Sequence, residues 1–225
     1  MCGRFSQNLA RSKLNELFTL NYEEFLIPTR YNIAPTQEAA VIRSDGETRK
    51  INLLRWGLIP SWSKHPSVGA RMINSRSETL IEKPSFKESI RRRRCLIPAD
   101  GFYEWRGKKG AKQPYRIFIP NNKLMAFAGL WDVWCGPAQE NIESFTIITT
   151  ASGNKMRPLH SRMPVMLDSI HFEKWLALNS SLNDTLELLQ TATDRMVDFY
   201  PVSKKLNSPL FDNPECIVPI SDYMV

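Results

Sequence analysis

Short runs of β-branched and aromatic residues, separated by turn sequences, constrain the fold of this chain more than any other feature. Residues 38–43 and 47–56 flank Ser44-Asp45-Gly46, a turn sequence typical of a hairpin. Residues 114–120 and 123–131 flank Asn121-Asn122 and predict a second hairpin. Further strands are predicted over residues 95–98, 102–106, 143–150 and 163–167.

Helical periodicity is confined to short segments. In residues 8–18, Ala10, Leu14, Leu17 and Phe18 repeat on one face of a helix. Further helices are predicted over residues 84–92, after a cap at Asp168, and over residues 184–190. No repeat or linker divides the 225 residues. The sequence therefore predicts a single α+β domain over residues 1–225, with a mainly antiparallel, barrel-like β-sheet and peripheral helices.

Composition narrows the class of protein. No run of apolar residues is long enough for a transmembrane helix, and the first residues have no apolar segment of a secretory signal. We therefore expect a cytoplasmic protein without a membrane partner. The cysteines, Cys2, Cys95, Cys135 and Cys216, are widely separated, and with the three histidines they form no metal-ligand spacing. We expect free thiols, no metal and no cofactor, with the last three cysteines as small buried side chains.

Positive charge indicates an anionic partner. The formal net charge is +7, and the basic residues are densest in the run from Arg91 to Arg94. This run has two interpretations, a solvated helix end or a surface that faces phosphates. Trp56 and Trp62 similarly fit either a core or an exposed surface on which bases stack.

Cys2 follows the initiator methionine and is small enough for Met1 to be removed. The mature chain would then begin with a free α-amine and a thiol on one residue. With a pKa of about 7.8, against about 10.4 for lysine, this amine is unprotonated roughly 400 times more often at pH 7. It can form a Schiff base with an aldehyde, and the thiol can then close a five-membered thiazolidine.

Four motifs carry a resemblance to a known family. They are Cys-Gly-Arg at residues 2–4, Asn-Ser-Arg-Ser-Glu at 74–78, Pro-Ala-Asp-Gly-Phe-Tyr-Glu-Trp at 98–105 and Leu-His-Ser-Arg-Met-Pro at 159–164. Together, in this order, they resemble the SRAP family (SOS response-associated peptidase), along practically the whole chain. The resemblance implies the family's fold and a sensor of abasic sites in single-stranded DNA that captures the lesion covalently in the DNA damage response.

The resemblance also implies roles for four residues. Cys2 is the expected nucleophile, and Asn74 the residue that holds the terminus and the opened deoxyribose. Glu104 is the expected acid/base carboxylate, and His160 the residue that moves a proton to the ring oxygen. Taken singly, Asn74 could be a turn residue, Glu104 a surface strand residue and His160 a structural loop histidine.

DNA contacts are expected from arginines in or beside the motifs, and Cys2 should lie at the mouth of a cationic cleft. The residues concerned are Arg4, Arg76, Arg162 and Arg157, with Trp62 or Trp105 stacking on a base. We expect a monomer that binds single-stranded DNA with low sequence specificity and becomes nucleoid-associated when crosslinked.

Two other classes of function remain open from the residues alone. Cysteine, histidine and asparagine or glutamate also form thiol peptidase sites, although the position of Cys2 favours autocatalytic removal of Met1 over cleavage of other proteins. A non-catalytic single-strand binder would bind intact and abasic DNA equally. An AP-lyase side reaction is also expected, because a Schiff base acidifies the adjacent C2′ protons.

Overall fold

The computed structural model describes residues 2–20, 27–108, 110–190 and 197–220, which form two β-sheets with short helices around them. The strands are β1 (Phe5–Gln7), β2 (Arg30–Ile33), β3 (Glu38–Ser44), β4 (Arg49–Trp56), β5 (Asn74–Arg76), β6 (Arg94–Ala99), β7 (Gly101–Arg106), β8 (Gln113–Phe118), β9 (Met125–Cys135), β10 (Asn141–Ala151), β11 (Arg162–Pro164) and β12 (Asp198–Pro201). The α-helices are α1 (Arg11–Phe18), α2 (Pro84–Lys87), α3 (Ser89–Arg92), α4 (Phe172–Leu176) and α5 (Leu182–Leu188).

The larger sheet closes into a barrel. Its strand order runs β10, β4, β3, β6 and β9, and β9 then pairs with β10 to complete the ring. All these pairings are antiparallel except that of β10 with β4. After its pairing with β4, β10 continues along β5, which it also pairs with in parallel. The carboxyl end of β10 pairs antiparallel with β11. The expected α+β class with a mainly antiparallel, barrel-like sheet is confirmed.

The second sheet is antiparallel and has the order β12, β8, β7, β1, β2. It packs against one face of the barrel strands. Successive side chains of these strands point to opposite faces of the sheet, and each face packs in its own hydrophobic core. Val41 belongs to the core shared with the second sheet, and Ile42 belongs to the core shared with the helices. Phe5 of β1 contacts Trp56 edge to face, with ring centroids 5.0 Å apart, and so ties the amino-terminal strand to the barrel.

The first predicted hairpin is confirmed, and the second is wrong. Strands β3 and β4 pair over their whole length around residues 45–48. Strands β8 and β9 also exist, but β8 pairs with β7 and β12, whereas β9 pairs with β6 and β10. Asn121 and Asn122 do turn the chain with positive φ angles, and a single bridge joins Ile119 to Lys123. The turn therefore carries the chain from one sheet to the other.

The remaining predictions have different outcomes. The helix predicted over residues 84–92 is two short helices, α2 and α3, and Asp168 precedes a 3-10 turn before α4 without a side-chain cap. Cys95 and Cys216 are buried as expected, but Cys135 is exposed at the end of β9, so the interpretation is wrong for that residue. Among the described residues, no helix is long and apolar enough to span a bilayer. The single-domain boundary of 1–225 stays a prediction.

Arg94 is a buried structural residue. Only 5% of it is exposed, and its guanidinium donates to the carbonyl oxygens of Ile90, Arg91, Trp175 and Ala177. These bonds join the end of α3 to α4 and explain why one member of the arginine run cannot face solvent.

We expect Arg94→Met to destabilise the protein by about 3–5 kcal/mol, because it leaves several buried carbonyl oxygens without donors. Thermal unfolding should show a midpoint lower by roughly 10 °C. Arg92→Met, an exposed neighbour in the same run, is the matched control and should change stability by less than about 0.5 kcal/mol. Equal effects of the two substitutions would contradict this assignment.

Candidate active site

The amino-terminal segment extends β1 along the edge of β7. Phe5 lies opposite Phe102, and the amide of Tyr103 donates to the carbonyl of Arg4 at 2.9 Å. Continuing this antiparallel register places Gly3 opposite Glu104. The pairing of β1 with β7 therefore brings Cys2 and Glu104 into one region, although the chain separates them by about a hundred residues.

Asn74 holds the main chain of Cys2. It begins β5, which pairs in parallel with β10 so that Asn74 lies opposite Ile147. The Asn74 Nδ2 donates to the carbonyl oxygen of Cys2 at 2.7 Å. The Asn74 Oδ1 is buried and accepts no hydrogen bond within the described part of the chain. This oxygen is available to a hydroxyl or amine that enters beside Cys2.

Glu104 is a buried carboxyl group. It lies on the same face of β7 as Phe102, which packs in the core between the second sheet and the barrel, and only 4% of Glu104 is exposed. Burial raises the pKa of Glu104 to about 7, while the positive charge of the amino terminus acts in the opposite direction. Near neutral pH, Glu104 can therefore both accept and return a proton.

His160 is held by the loop between β10 and β11. Ser152 donates to the carbonyl of His160 at 2.7 Å, and the amide of Arg162 donates to Nδ1 of the ring at 2.9 Å. The same Nδ1 also lies 3.2 Å from the carbonyl oxygen of Arg162. It accepts from the Arg162 amide when the ring proton is on Nε2, and donates to the Arg162 carbonyl when the proton is on Nδ1. Burial lowers the pKa of His160, and the charges of the amino terminus, Lys112 and Arg162 lower it further, while the Arg162 carbonyl opposes them.

The Cys2 thiol is buried and protonated. None of Cys2 is exposed, and its Sγ lies 3.7 Å from the carbonyl oxygen of Arg4. Burial raises the pKa of Cys2 above its ordinary value, and the negative charge of Glu104 raises it further. The expectation that Cys2 lies at an open mouth is therefore wrong for the chain that carries Met1. Its buried position is the result of packing with Phe5 and the barrel core.

The structure thus brings the four predicted residues to one region. Asn74 donates a hydrogen bond to the Cys2 carbonyl, and the negative charge of Glu104 raises the pKa of the Cys2 thiol. Leu159, the neighbour of His160, packs in the same apolar cluster as Cys2. The positive charge of Lys112 lowers the pKa of both Glu104 and His160. Lys112 lies outside the four motifs, and the basic composition of residues 106–112 was its only sequence indication.

Arg4 is engaged with the protein. Its guanidinium donates to Asn32 Oδ1 at 2.7 Å and to the carbonyls of Leu206 and Asn207 at 2.9 and 3.3 Å. It also lies 5.9 Å from the ring centroid of Trp105, whose Nε1 donates to Asn207 Oδ1. These contacts fasten the amino-terminal segment to the loop at 206–207 and leave Trp105 only partly exposed.

The other three predicted arginines differ in their partners. Arg162 forms a paired interaction with Glu78, at 2.5 Å from NH1 to Oε1 and 2.9 Å from NH2 to Oε2, and also donates to the Thr149 carbonyl. Arg76 and Arg157 are exposed and form no ion pair within the described residues. Arg76 and Arg157 therefore offer accessible charge, whereas a phosphate at Arg162 would compete with Glu78.

The two tryptophans at residues 56 and 62 have opposite environments. Trp56 is fully buried and donates from Nε1 to the carbonyl of Ile73, next to Asn74. Trp62 is 63% exposed. Trp56 is therefore a core residue, whereas the exposed ring of Trp62 is available for stacking on a base.

Sequence reasoning missed several residues that organise this site. Asn32 is fully buried and donates to the carbonyls of Leu206, Ser208 and Phe211. The carboxylate of Asp212 accepts from the amides of Tyr31 and Asn32, and so fixes β2, the partner strand of β1, to the segment around residue 212. Residues 30–36, a polar segment interrupted by Pro35, predict a turn rather than the strand β2, and nothing in the spacing of Asp212 connects it to the amino terminus.

Comparisons with known proteins identify the family of this chain. A family model described as SOS response associated peptidase (SRAP) matches residues 1–209. Abasic site processing protein YoqW of Bacillus subtilis (strain 168) is 41% identical over 223 residues, covering 96% of this chain and 99% of the relative. Abasic site processing protein HMCES of Gallus gallus is 33% identical over 264 residues, covering 98% of this chain and 78% of the relative.

A solved structure provides an independent comparison of the fold. The X-ray crystal structure of a protein from Bacteroides thetaiotaomicron superposes with a TM-score of 0.85 at 26% identity, and covers 97% of this chain and 99% of that chain. The extent of the family match and the identity to curated relatives lead to one conclusion. The chain belongs to the SOS response associated peptidase (SRAP) family.

Proposed function

We propose that this protein processes abasic sites in single-stranded DNA by forming a covalent crosslink through Cys2. Relatives that share nearly the whole chain are named abasic site processing proteins. The observation that carries the proposal is the hydrogen bond from Asn74 to the Cys2 carbonyl, beside the buried carboxyl of Glu104. An open abasic sugar supplies an aldehyde at C1′, the electrophile that an amino-terminal cysteine can capture.

The reaction requires removal of Met1, which we propose is autocatalytic. The α-amine of Cys2 then attacks C1′ and forms the N–C1′ bond, and the carbonyl oxygen leaves as water to give an imine. The Cys2 thiol adds across the C=N bond, so Sγ bonds to C1′ and the thiol proton ends on nitrogen. The product is a thiazolidine, and one water is lost overall.

The proposed roles of the other residues follow from their environments. Glu104, with a pKa of about 7, accepts a proton from the amine and returns it to the departing hydroxyl. The lowered pKa keeps His160 neutral, and in the tautomer whose Nδ1 accepts from the Arg162 amide the ring proton lies on Nε2, from which it is transferred to the sugar oxygen. Asn74 orients the Cys2 main chain through Nδ2 and offers Oδ1 to the opened sugar.

The state of the thiol favours this order of steps over a thiol peptidase that acts on other proteins. In the removal of Met1 the bond to be cleaved belongs to the same chain and is held beside the site. A peptidase nucleophile is a thiolate with a lowered pKa, commonly paired with a cationic histidine. Here burial raises the pKa of Cys2, and burial also keeps His160 neutral. A neutral thiol adds readily only to an activated carbon, which the imine provides after the amine has reacted.

An AP-lyase side activity is part of the proposal. The imine acidifies the C2′ protons, and a carboxylate near neutral pKa can remove one of them before the thiol closes the ring. The bond from C3′ to its phosphate oxygen then breaks by β-elimination. Ring closure and elimination compete for the same imine, so slower closure should give more strand cleavage.

A direct test combines denaturing gels with intact mass spectrometry. The purified protein should lack Met1, and with abasic single-stranded DNA it should form an adduct that survives heat and detergent. The adduct mass should equal protein plus oligonucleotide minus one water. An intact strand and a strand with a tetrahydrofuran analogue, which has no aldehyde, are the controls. Retained Met1 in reactive protein, or equal adducts with the controls, would refute the proposal.

A further inference from the structure

The arginine run divides into an inward and an outward part. Arg94 is buried among carbonyl oxygens, and Arg93 reaches Asp132 of β9, with NH2 3.3 Å from Oδ1. Arg91 and Arg92 are exposed at the end of α3 and form no ion pair within the described residues. Glu88 lies one helical turn before Arg92, but no ion pair joins them there.

Asp132 connects this arginine run to the loop that carries Trp62. Its second oxygen, Oδ2, accepts from the amide of Ser61 at 3.1 Å, while Oδ1 takes Arg93. On the other side of Trp62, the carbonyl of Ser63 accepts from Trp134 Nε1 at 2.7 Å. Both neighbours of Trp62 are therefore fixed to β9, and the Trp62 side chain is 63% exposed.

The positive charge at the end of α3 exceeds the negative charge of the carboxylates that contact it. Asp132 is 4% exposed and offsets one positive charge, that of Arg93. Lys87, one turn before Arg91 and also exposed, adds to the excess. Lys87 and Arg91, four residues apart and of like charge, repel each other, and a polyanion relieves that repulsion while releasing counterions.

We propose that Arg91 and Arg92, here called the α3 arginine surface, bind backbone phosphates of the DNA flank that leaves the lesion past Trp62. Asp132 contacts both Arg93 and the amide of Ser61, so the end of α3 and the main chain next to Trp62 are held to the same residue of β9. A base stacked on Trp62 would thus have its neighbouring phosphates within reach of arginines. The assignment of the ligand as DNA rests on the proposed function, and the site extends it beyond the residues around Cys2.

The test uses a double variant, Arg91→Gln with Arg92→Gln, which leaves Arg93, Arg94 and the Cys2 region unchanged. Binding is measured by fluorescence anisotropy on single-stranded DNA with a central tetrahydrofuran analogue, as a function of salt. Loss of two phosphate contacts should lower the slope of log K against log salt by about 1.4. The ratio of variant to wild-type Kd should then shrink about sevenfold between about 50 and 200 mM salt.

A matched control removes the same charge elsewhere. Lys50→Gln with Lys174→Gln removes two exposed lysines that pair with Asp45 and Asp184, and should leave the slope within about 0.3 of wild type. Shortening the DNA on one side of the analogue should abolish the difference between wild type and the arginine variant. Shortening the other side should preserve it.

Three results would overturn the inference. They are an unchanged slope in the arginine variant, an equal change in the lysine control, and a deficit that persists when both flanks are short. Crosslinking to true abasic DNA at saturating protein is scored separately, and the arginine variant should reach the wild-type yield. Absence of adduct with the wild type would refute the proposed function, while the anisotropy data would still decide the α3 arginine surface.

Discussion

Cys2→Ala should abolish the heat-stable adduct with abasic single-stranded DNA completely. When it is prepared without Met1, the variant keeps an α-amine and can still form an imine, but it has no sulfur to close the ring. An imine hydrolyses under the denaturing conditions that a thiazolidine survives. The measurement is a denaturing gel of the reaction, run with and without borohydride, which reduces an imine to a stable secondary amine.

Cys2→Ser separates loss of the thiol from loss of packing. Serine has nearly the size of cysteine and fits a fully buried position better than a larger residue, although its hydroxyl needs a hydrogen-bond partner. We expect an adduct that borohydride traps and heat destroys, together with more strand cleavage than wild type gives. A heat-stable adduct of Cys2→Ala without borohydride would rule out thiazolidine closure.

The strands of this fold could be predicted because their sequence patterns are local. β-Branched and aromatic residues place β3, β4, β6, β7, β9 and β10 within a few residues of their observed positions. Pairing is a different matter, as Asn121 and Asn122 show. Two strands around a turn predict a hairpin, but β8 and β9 each find a more extensive partner in separate sheets. The sequence of the two strands and their turn does not show which distant strands compete for pairing with each of them.

The chemistry of the site depends on contacts between distant parts of the chain. The reactivity of an amino-terminal cysteine could be derived from residue 2 alone. Its connection to Asn74 requires β5 to pair with β10, and its connection to Glu104 requires β1 to pair with β7. The family resemblance grouped these residues, but burial in the folded chain sets the pKa of Glu104.

The arginines illustrate the same limit. In the sequence, Arg4, Arg94 and Arg162 are as basic as Arg76 or Arg92. In the fold, Arg4 and Arg94 donate hydrogen bonds to carbonyl oxygens, and Arg162 forms an ion pair with Glu78. Only the tertiary structure therefore distinguishes cations that hold the protein together from cations that remain accessible to a polyanion.

Glu104→Gln should slow crosslinking by about 100- to 10,000-fold, the usual range for loss of an acid/base group, and should change the shape of the pH profile. In the wild type, the reactive state holds one proton on the pair formed by Glu104 and the Cys2 amine. Below the pKa of Glu104, about 7, the pair carries two protons and the amine cannot attack. Above the pKa of the amine, the pair carries none and cannot protonate the leaving hydroxyl. The wild-type rate should therefore pass through a maximum.

Glutamine removes one titrating group and leaves the amine, so the residual rate of Glu104→Gln should rise with pH through about 7.8 and then level off. Single-turnover crosslinking rates across pH measure both profiles. His160→Gln is the matched control, because it should also slow the reaction but keep the maximum that the pair creates. Affinity for the unreactive tetrahydrofuran strand should change by less than about threefold in both variants, since neither residue is proposed to bind phosphate. A maximum that persists without Glu104, or an affinity loss as large as the rate loss, would show that this carboxyl supports the structure rather than the proton transfer.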